Sequence, residues 1–305
     1  SGCFGKVVEC YHAIEIASAR LGPTAAKQLI DSTPTGFYWN PNDCATVTVF
    51  AFPFFLLHQN KAISFIGILT IVLICTGASA RLAFMALWLM WLVGFCFFNK
   101  KNGVNYLVAC FFLLGSLTNG YTLLAGKWRQ LNEVSIFAKV QMERPDSVGD
   151  NSVNIRKELI IIGLNTVKQN YGFAIGGGNM SSRLAATGGV GNRKIKILHN
   201  FWLEWLIEGG VIAAIAFAAW YLLLLVSLWQ NYHRQTNKVI NNTTNNFIRN
   251  LEMPEIDANK SYYTAAVFLT LVGFIITAVG QSTCIYCLPM YCLFAVAIRL
   301  AKAEN

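Results

Sequence analysis

Arg81, Arg156 and His199 are the residues of this chain whose types suit chemistry on a charged substrate. Two guanidinium groups can grip a diphosphate through forked, charge-assisted bonds, and an imidazole nearby can move a proton close to neutral pH. His199 is followed by Asn200, nine residues, and then Gly210-Val211-Ile212-Ala213. Between them Glu204 and Glu208 stand four apart, on one stripe of a helix. On a straight helix Glu208 falls about 180° round from His199 and about 13 Å deeper, so direct contact is not expected. An intramembrane acid is costly and is a functional candidate by default. Gly176-Gly177-Gly178 and Gly188-Gly189-x-Gly191 supply backbone-permissive turns where the chain can approach a ligand, with Gly176 and Gly178 the candidate contacts. A glycine triplet alone is a weak phosphate signal, because the strand and helix of a nucleotide fingerprint are absent around it. Blander readings stand beside these. His199 serves as a polar cap at a membrane boundary, Arg81 snorkels to the interface, and Glu208 partners an arginine or a backbone amide of a neighbouring helix.

The frame that must position these groups is apolar. Of 305 residues, 55% are apolar and 13% charged, where an ordinary globular chain carries about 25% charge. Soluble, disordered and fibrous classes are excluded, and an all-α integral membrane protein is expected. Seven stretches approach the length of roughly 20 apolar residues that a spanning helix needs: Cys44–Leu57, Ala62–Ala80, Leu82–Phe98, Val104–Leu124, Gly209–Trp229, Tyr262–Gly280 and Thr283–Ile298. Lys61, Lys100, Lys101, Arg234, Lys238, Arg249, Lys260, Arg299 and Lys302 all fall on one side if the spans alternate, and the positive-inside rule makes that side cytoplasmic. The expected layout is an outer segment 1–43, four spans over 44–124, an extracytoplasmic loop 125–199, a span in 200–230, a cytoplasmic linker 231–261, and two spans with a tail in 262–305. The chain opens on Ser1 without a signal peptide, which suggests a fragment of a longer protein.

Charge is unevenly placed. The loop 125–199 holds eleven basic and five acidic side chains, an excess of six within a chain total of +9. Long loops escape the orientation rule, so topology does not require this charge. An anionic partner such as a diphosphate headgroup accounts for it, and so does a solvated loop lying on acidic lipid. Within the loop Asn154–Gln169 has a helical pattern, apolar nearly all round at its centre, which should pack against the spans. Residues 5–30 read as an interfacial helix. Trp39, Trp128, Trp202 and Trp205 suit a membrane-interface belt or sugar stacking. Cys75, Cys96 and Cys110 are packing residues, Cys3 and Cys10 have the option of pairing outside, and Cys284-x-x-Cys287 lacks a second pair for zinc.

The ordered combination of these pieces resembles the O-antigen ligase and O-antigen polymerase-like family of bacterial envelope proteins. The carrying residues are His199-Asn200-x9-Gly210, Thr35 to Asp43 entering a span, Thr76-Gly77 with Ser79-x-Arg81, and Arg156 ahead of Gly163-Leu164 and Gly176-x-Gly178. Ala213 departs from the family's usual glycine, and Ala80 interrupts its Ser-Arg pair. The resemblance implies a GT-C-like inverting glycosyltransferase of the bacterial inner membrane that needs no cofactor or metal, its site facing the periplasm. The donor would be a glycan on undecaprenyl diphosphate, and the acceptor a lipid A core sugar or another glycan; nucleic acid has no place in it. Arg81 and Arg156 would bind the diphosphate, and His199 would act as base on, or orient, the acceptor hydroxyl. Asn200, Glu208, Gly176 and Gly178 would line the substrate. A transporter or flippase of lipid-linked glycans is the alternative; it should show paired broken helices, and the sequence shows no such pair.

Overall fold

The computed structural model describes residues 41–77, 80–98, 152–186, 198, 200–249, 255–280 and 288–302. The readings that fall on 1–40, on 104–124, on His199 itself, and on the Gly188 and Cys284 motifs lie outside them. The described residues are all helical or connecting, with no strand among them. The helices are α1 (Pro41–Phe50), α2 (Phe52–Leu56), α3 (Lys61–Gly77), α4 (Arg81–Phe97), α5 (Ser152–Gln169), α6 (Asn179–Ala186), α7 (Phe201–Arg249), α8 (Glu255–Thr277) and α9 (Leu288–Ala301). Two of them are long and apolar enough to cross a membrane, over Phe201–Lys238 and Asn259–Thr277; the apolar stretches of α1–α2, α3, α4 and α9 are shorter.

Helix α8 is the centre of the bundle. It lies antiparallel to α4: Gly280 meets Leu82, Gly273 meets Met90, and Leu269 meets Gly94. Between apolar helices in lipid, close approach over small residues and dispersion hold the contact. On its other flank α8 meets α7 through the Tyr221 hydroxyl on the Leu271 carbonyl, and Thr264 on Gln235 at 3.1 Å. Asn231 donates to the carbonyls of Leu300 and Ala301 at 3.0 and 2.8 Å, which fixes the end of α9. Thr270 reaches the Phe50 carbonyl, where α1 gives way to α2 and Pro53 cannot continue the amide ladder. These contacts gather the Ala80–Arg81 and Thr277–Gly280 ends together, and gather Phe98, Tyr232 and Trp229 at the opposite end.

Two expectations change here. The described parts of 231–261, read as a cytoplasmic linker, are helical: α7 continues through Arg249 and α8 begins at Glu255. Thr236 helps hold this extension by bonding Tyr232 within its own helix and lying 3.2 Å from Ser261 of α8. Nor is α7 one straight rod. Gly210 has φ 80 and ψ 168, which divides it into residues 201–209 (α7a) and 211–249 (α7b). Residues 201 and 217 would be about 24 Å apart on a continuous helix. Their rings instead stand 5.7 Å apart, Trp205 stacks on Phe217 at 4.8 Å, and Trp202 meets Tyr221 at 5.7 Å. α7a is therefore folded back against the beginning of α7b. Trp202, expected at the interface belt, packs in this aromatic cluster and donates its indole N–H to the Ile275 carbonyl at 3.1 Å.

Candidate active site

The fold-back exposes polar backbone on both sides of its corner, and a loop supplies the partners. The amides of Ile175 and Gly176 donate to the carbonyls of Ile207 and Glu208, at 3.1 and 3.2 Å. On the other side the Val211 amide donates to the Gly172 carbonyl at 2.9 Å. The last carbonyls of α7a and the first amide of α7b, which a broken helix leaves unpaired, are thus satisfied by one segment, 172–176. A Cβ at Gly210 would stand 2.8 Å from the Ala174 nitrogen and 3.1 Å from the Gly172 oxygen, so the corner admits only glycine.

That segment is delivered by the end of α5. The amides of Gly172 and Tyr171 reach back to the carbonyls of Val167 and Lys168, the bond pair of a Schellman ending. Tyr171 holds the left-handed position at φ 53, a conformation that costs an L-residue about 1–2 kcal/mol. Farther back, Gly163 lies against Leu203 and Ile207 of α7a, where a Cβ would come within 2.9 and 2.8 Å. Leu159, Met180, Leu184, Leu198, Leu203 and Ile207 form the buried core that joins α5, α6 and α7a. A Gly163→Leu substitution is expected to part α5 from α7a at a cost of about 1–3 kcal/mol, read as a lowered melting temperature in detergent. Gly163→Ala should cost less, since the ends of Ile207 and Leu203 can turn aside.

The levels of the expected site residues follow from this packing. α5 and α7a run side by side in the same direction, because Gly163 faces 203–207 and Gly172 faces 211. Arg156 precedes Gly163 by two turns on the same face, about 10 Å back. The same step back from 203–207 along the neighbouring chain reaches Leu198 and Asn200. Arg156 is half-buried there, in the second turn of α5. Asn200 caps α7a: its side-chain oxygen accepts from the Leu203 amide at 3.2 Å. The next amide, Phe201, donates to Ala278 at the end of α8 at 2.9 Å. Gly280 of that end touches Leu82, next to Arg81 at the start of α4. Arg81, Arg156 and Asn200 therefore belong to one end of the bundle, on three different helices.

Glu208 takes a different place from the one expected. It does not continue down α7b from Asn200; it sits at the corner, just before the break, and its carboxylate accepts the Met180 amide at 3.3 Å as α6 begins. Gly176 shares the corner through its bond to the Glu208 carbonyl, and Gly178, also at positive φ, lies two residues on. Glu208 and Gly176 are thus brought together at the corner. Glu208→Gln is expected to preserve the cap on α6 and the melting temperature, whereas Glu208→Ala should cost about 0.5–2 kcal/mol. Equal loss in both would mean that the charge itself is required. Sequence reasoning missed Gly172, Ala174 and the structural role of Gly210. The signal was present in Gly209-Gly210 inside an apolar run, whose break a distant loop then completes.

A helical bundle with apolar outer faces, two of its helices long and apolar enough to cross a bilayer, is of membrane type. The sequence model of the O-antigen ligase family matches residues 63–218, just over half of the chain. The chain belongs to that family. The match takes in Arg81, Arg156, His199, the Gly176 loop and the Gly210 corner. No curated protein and no solved structure matches the chain.

Proposed function

We propose that this protein transfers a glycan from undecaprenyl diphosphate to an acceptor hydroxyl, on a lipid A core sugar or another glycan, at the outer face of the bacterial inner membrane. One observation carries the reading: Arg156, Asn200 at the start of α7a and the start of α4 at Arg81 belong to one end of the bundle, on three helices. In the reaction the acceptor oxygen attacks the anomeric carbon, the bond from that carbon to the diphosphate oxygen breaks, and configuration inverts. His199, between Leu198 and Asn200, takes the acceptor proton. Arg81 and Arg156 stabilise the charge that grows on the leaving diphosphate. No step calls on a metal. The basic loop raises the local concentration of anionic donor.

The break at Gly210 also favours a second reading, since transporters use discontinuous helices. Complementing a deletion strain with His199→Ala separates the two. Accumulation of lipid-linked glycan facing outward is the expected result. Accumulation facing inward would mean that translocation, not transfer, is lost.

A further inference from the structure

Helix α5 has a face that the site does not use. Leu159, Gly163 and Thr166 are buried toward the cap. Round the helix Ile160, Ile161 and Leu164 are 38, 58 and 50% exposed. Lys157 and Lys168, both exposed, close this stripe one turn before Ile161 and one turn after Leu164. Beyond the helix end, Tyr171 and Phe173 are 89 and 72% exposed. The Schellman bonds hold Tyr171 in the left-handed position, so its ring is carried outward and not drawn into the core. The Gly172–Val211 bond sets this aromatic pair level with the start of α7b, whose Ile212 and Ile215 are 81 and 64% exposed.

We infer that this face of α5 is a lipid-contact surface, with Ile160, Ile161 and Leu164 lying among phospholipid chains at the outer boundary of the bilayer. Tyr171 and Phe173 sit at the headgroup level, where an amphipathic ring is favoured. Lys168, in the last turn of the helix, lays its stem along the apolar stripe and reaches anionic phosphates at the level of the aromatic pair. At the corner this surface meets the start of α7b through the Gly172–Val211 bond, so the lipid that covers Ile212 and Ile215 reaches it. The cap is thereby moored in the membrane and is not a loop standing in water. The inference rests on α7b crossing a bilayer, and not on the transfer reaction.

The test places the photo-crosslinking residue p-benzoylphenylalanine at position 161, 164, 171 or 173, one at a time. The full chain is reconstituted in vesicles of phosphatidylethanolamine and phosphatidylglycerol with a radiolabelled phospholipid. The aromatic replacements at Tyr171 and Phe173 disturb exposed rings only, which keeps the test valid if an aliphatic position fails to fold. Leu223, exposed on α7b, is the lipid-facing control, and Gln169, on the polar flank of α5, is the water-facing one. Lipid adducts at 161 and 164 are expected within about two-fold of the Leu223 yield, with 171 and 173 several-fold above Gln169. Yields equal to Gln169, or adducts to another part of this chain or to a second copy, would overturn the inference. If Leu223 itself gave no lipid adduct, the bilayer placement of α7b would fall, and the inference with it.

Discussion

Replacing Gly210 with alanine is expected to abolish transfer and to lower stability by several kcal/mol. Three effects add in one direction. The backbone at φ 80 and ψ 168 is a conformation essentially restricted to glycine, and forcing another residue into it costs of order 1–3 kcal/mol. The new Cβ would press on the Ala174 nitrogen and the Gly172 oxygen, backbone atoms that cannot rotate away as a side chain can. If the corner opens to relieve that pressure, the bonds from Ile175, Gly176 and Val211 are lost, each worth about 0.5–1.5 kcal/mol and more where the group stays buried. A helix that straightens carries Asn200 away from Ala278 and from the end of α4. Gly210→Ala should therefore fail in transfer and melt early. Gly177→Ala is the matching control, because a Cβ there meets nothing within 4 Å. Wild-type melting and activity in Gly210→Ala would remove the corner from the account.

Substituting His199 with alanine is the second large effect. If His199 takes the acceptor proton, transfer should fall by about 10²–10⁴-fold, the usual contribution of general base catalysis. Donor affinity should stay near wild type, since the arginines hold the diphosphate. Arg156→Ala should divide the other way, weakening donor binding as well as turnover, and Arg156→Lys should recover only part of it because lysine lacks the forked geometry. This split separates a base from an anchor in one set of measurements, made by donor binding and initial rates on the same preparations.

Much of this architecture was legible in the residues, and the parts that were not have a common cause. The helix expected over Asn154–Gln169 occurs as Ser152–Gln169, because a dense apolar stripe fixes a local element without help from afar. Helices cover the apolar stretches that fall on described residues, though several are short for a crossing. The fold-back at Gly210 was not legible. The run from Phe201 to Trp229 is apolar apart from its two acids and Ser227, and a pair of glycines inside it reads as a tolerated weakness in one helix. What turns that weakness into a corner is the loop 172–176, well upstream in the chain, and the ring stacking of Trp205 on Phe217. Both are tertiary facts. The same correction moves Glu208 from mid-span to the cap, where one of its bland readings, a partner for the backbone amide of another helix, describes its contact with Met180.

The most direct measurement is transfer by the purified full chain in vesicles, with undecaprenyl diphosphate-linked glycan as donor and lipid A core or a second lipid-linked glycan as acceptor. The account predicts a longer acceptor and free undecaprenyl diphosphate in equal amounts, and loss of both products with His199→Ala. Donor consumed equally by wild type and His199→Ala, or donor moved across the vesicle wall without a new glycosidic bond, would contradict it.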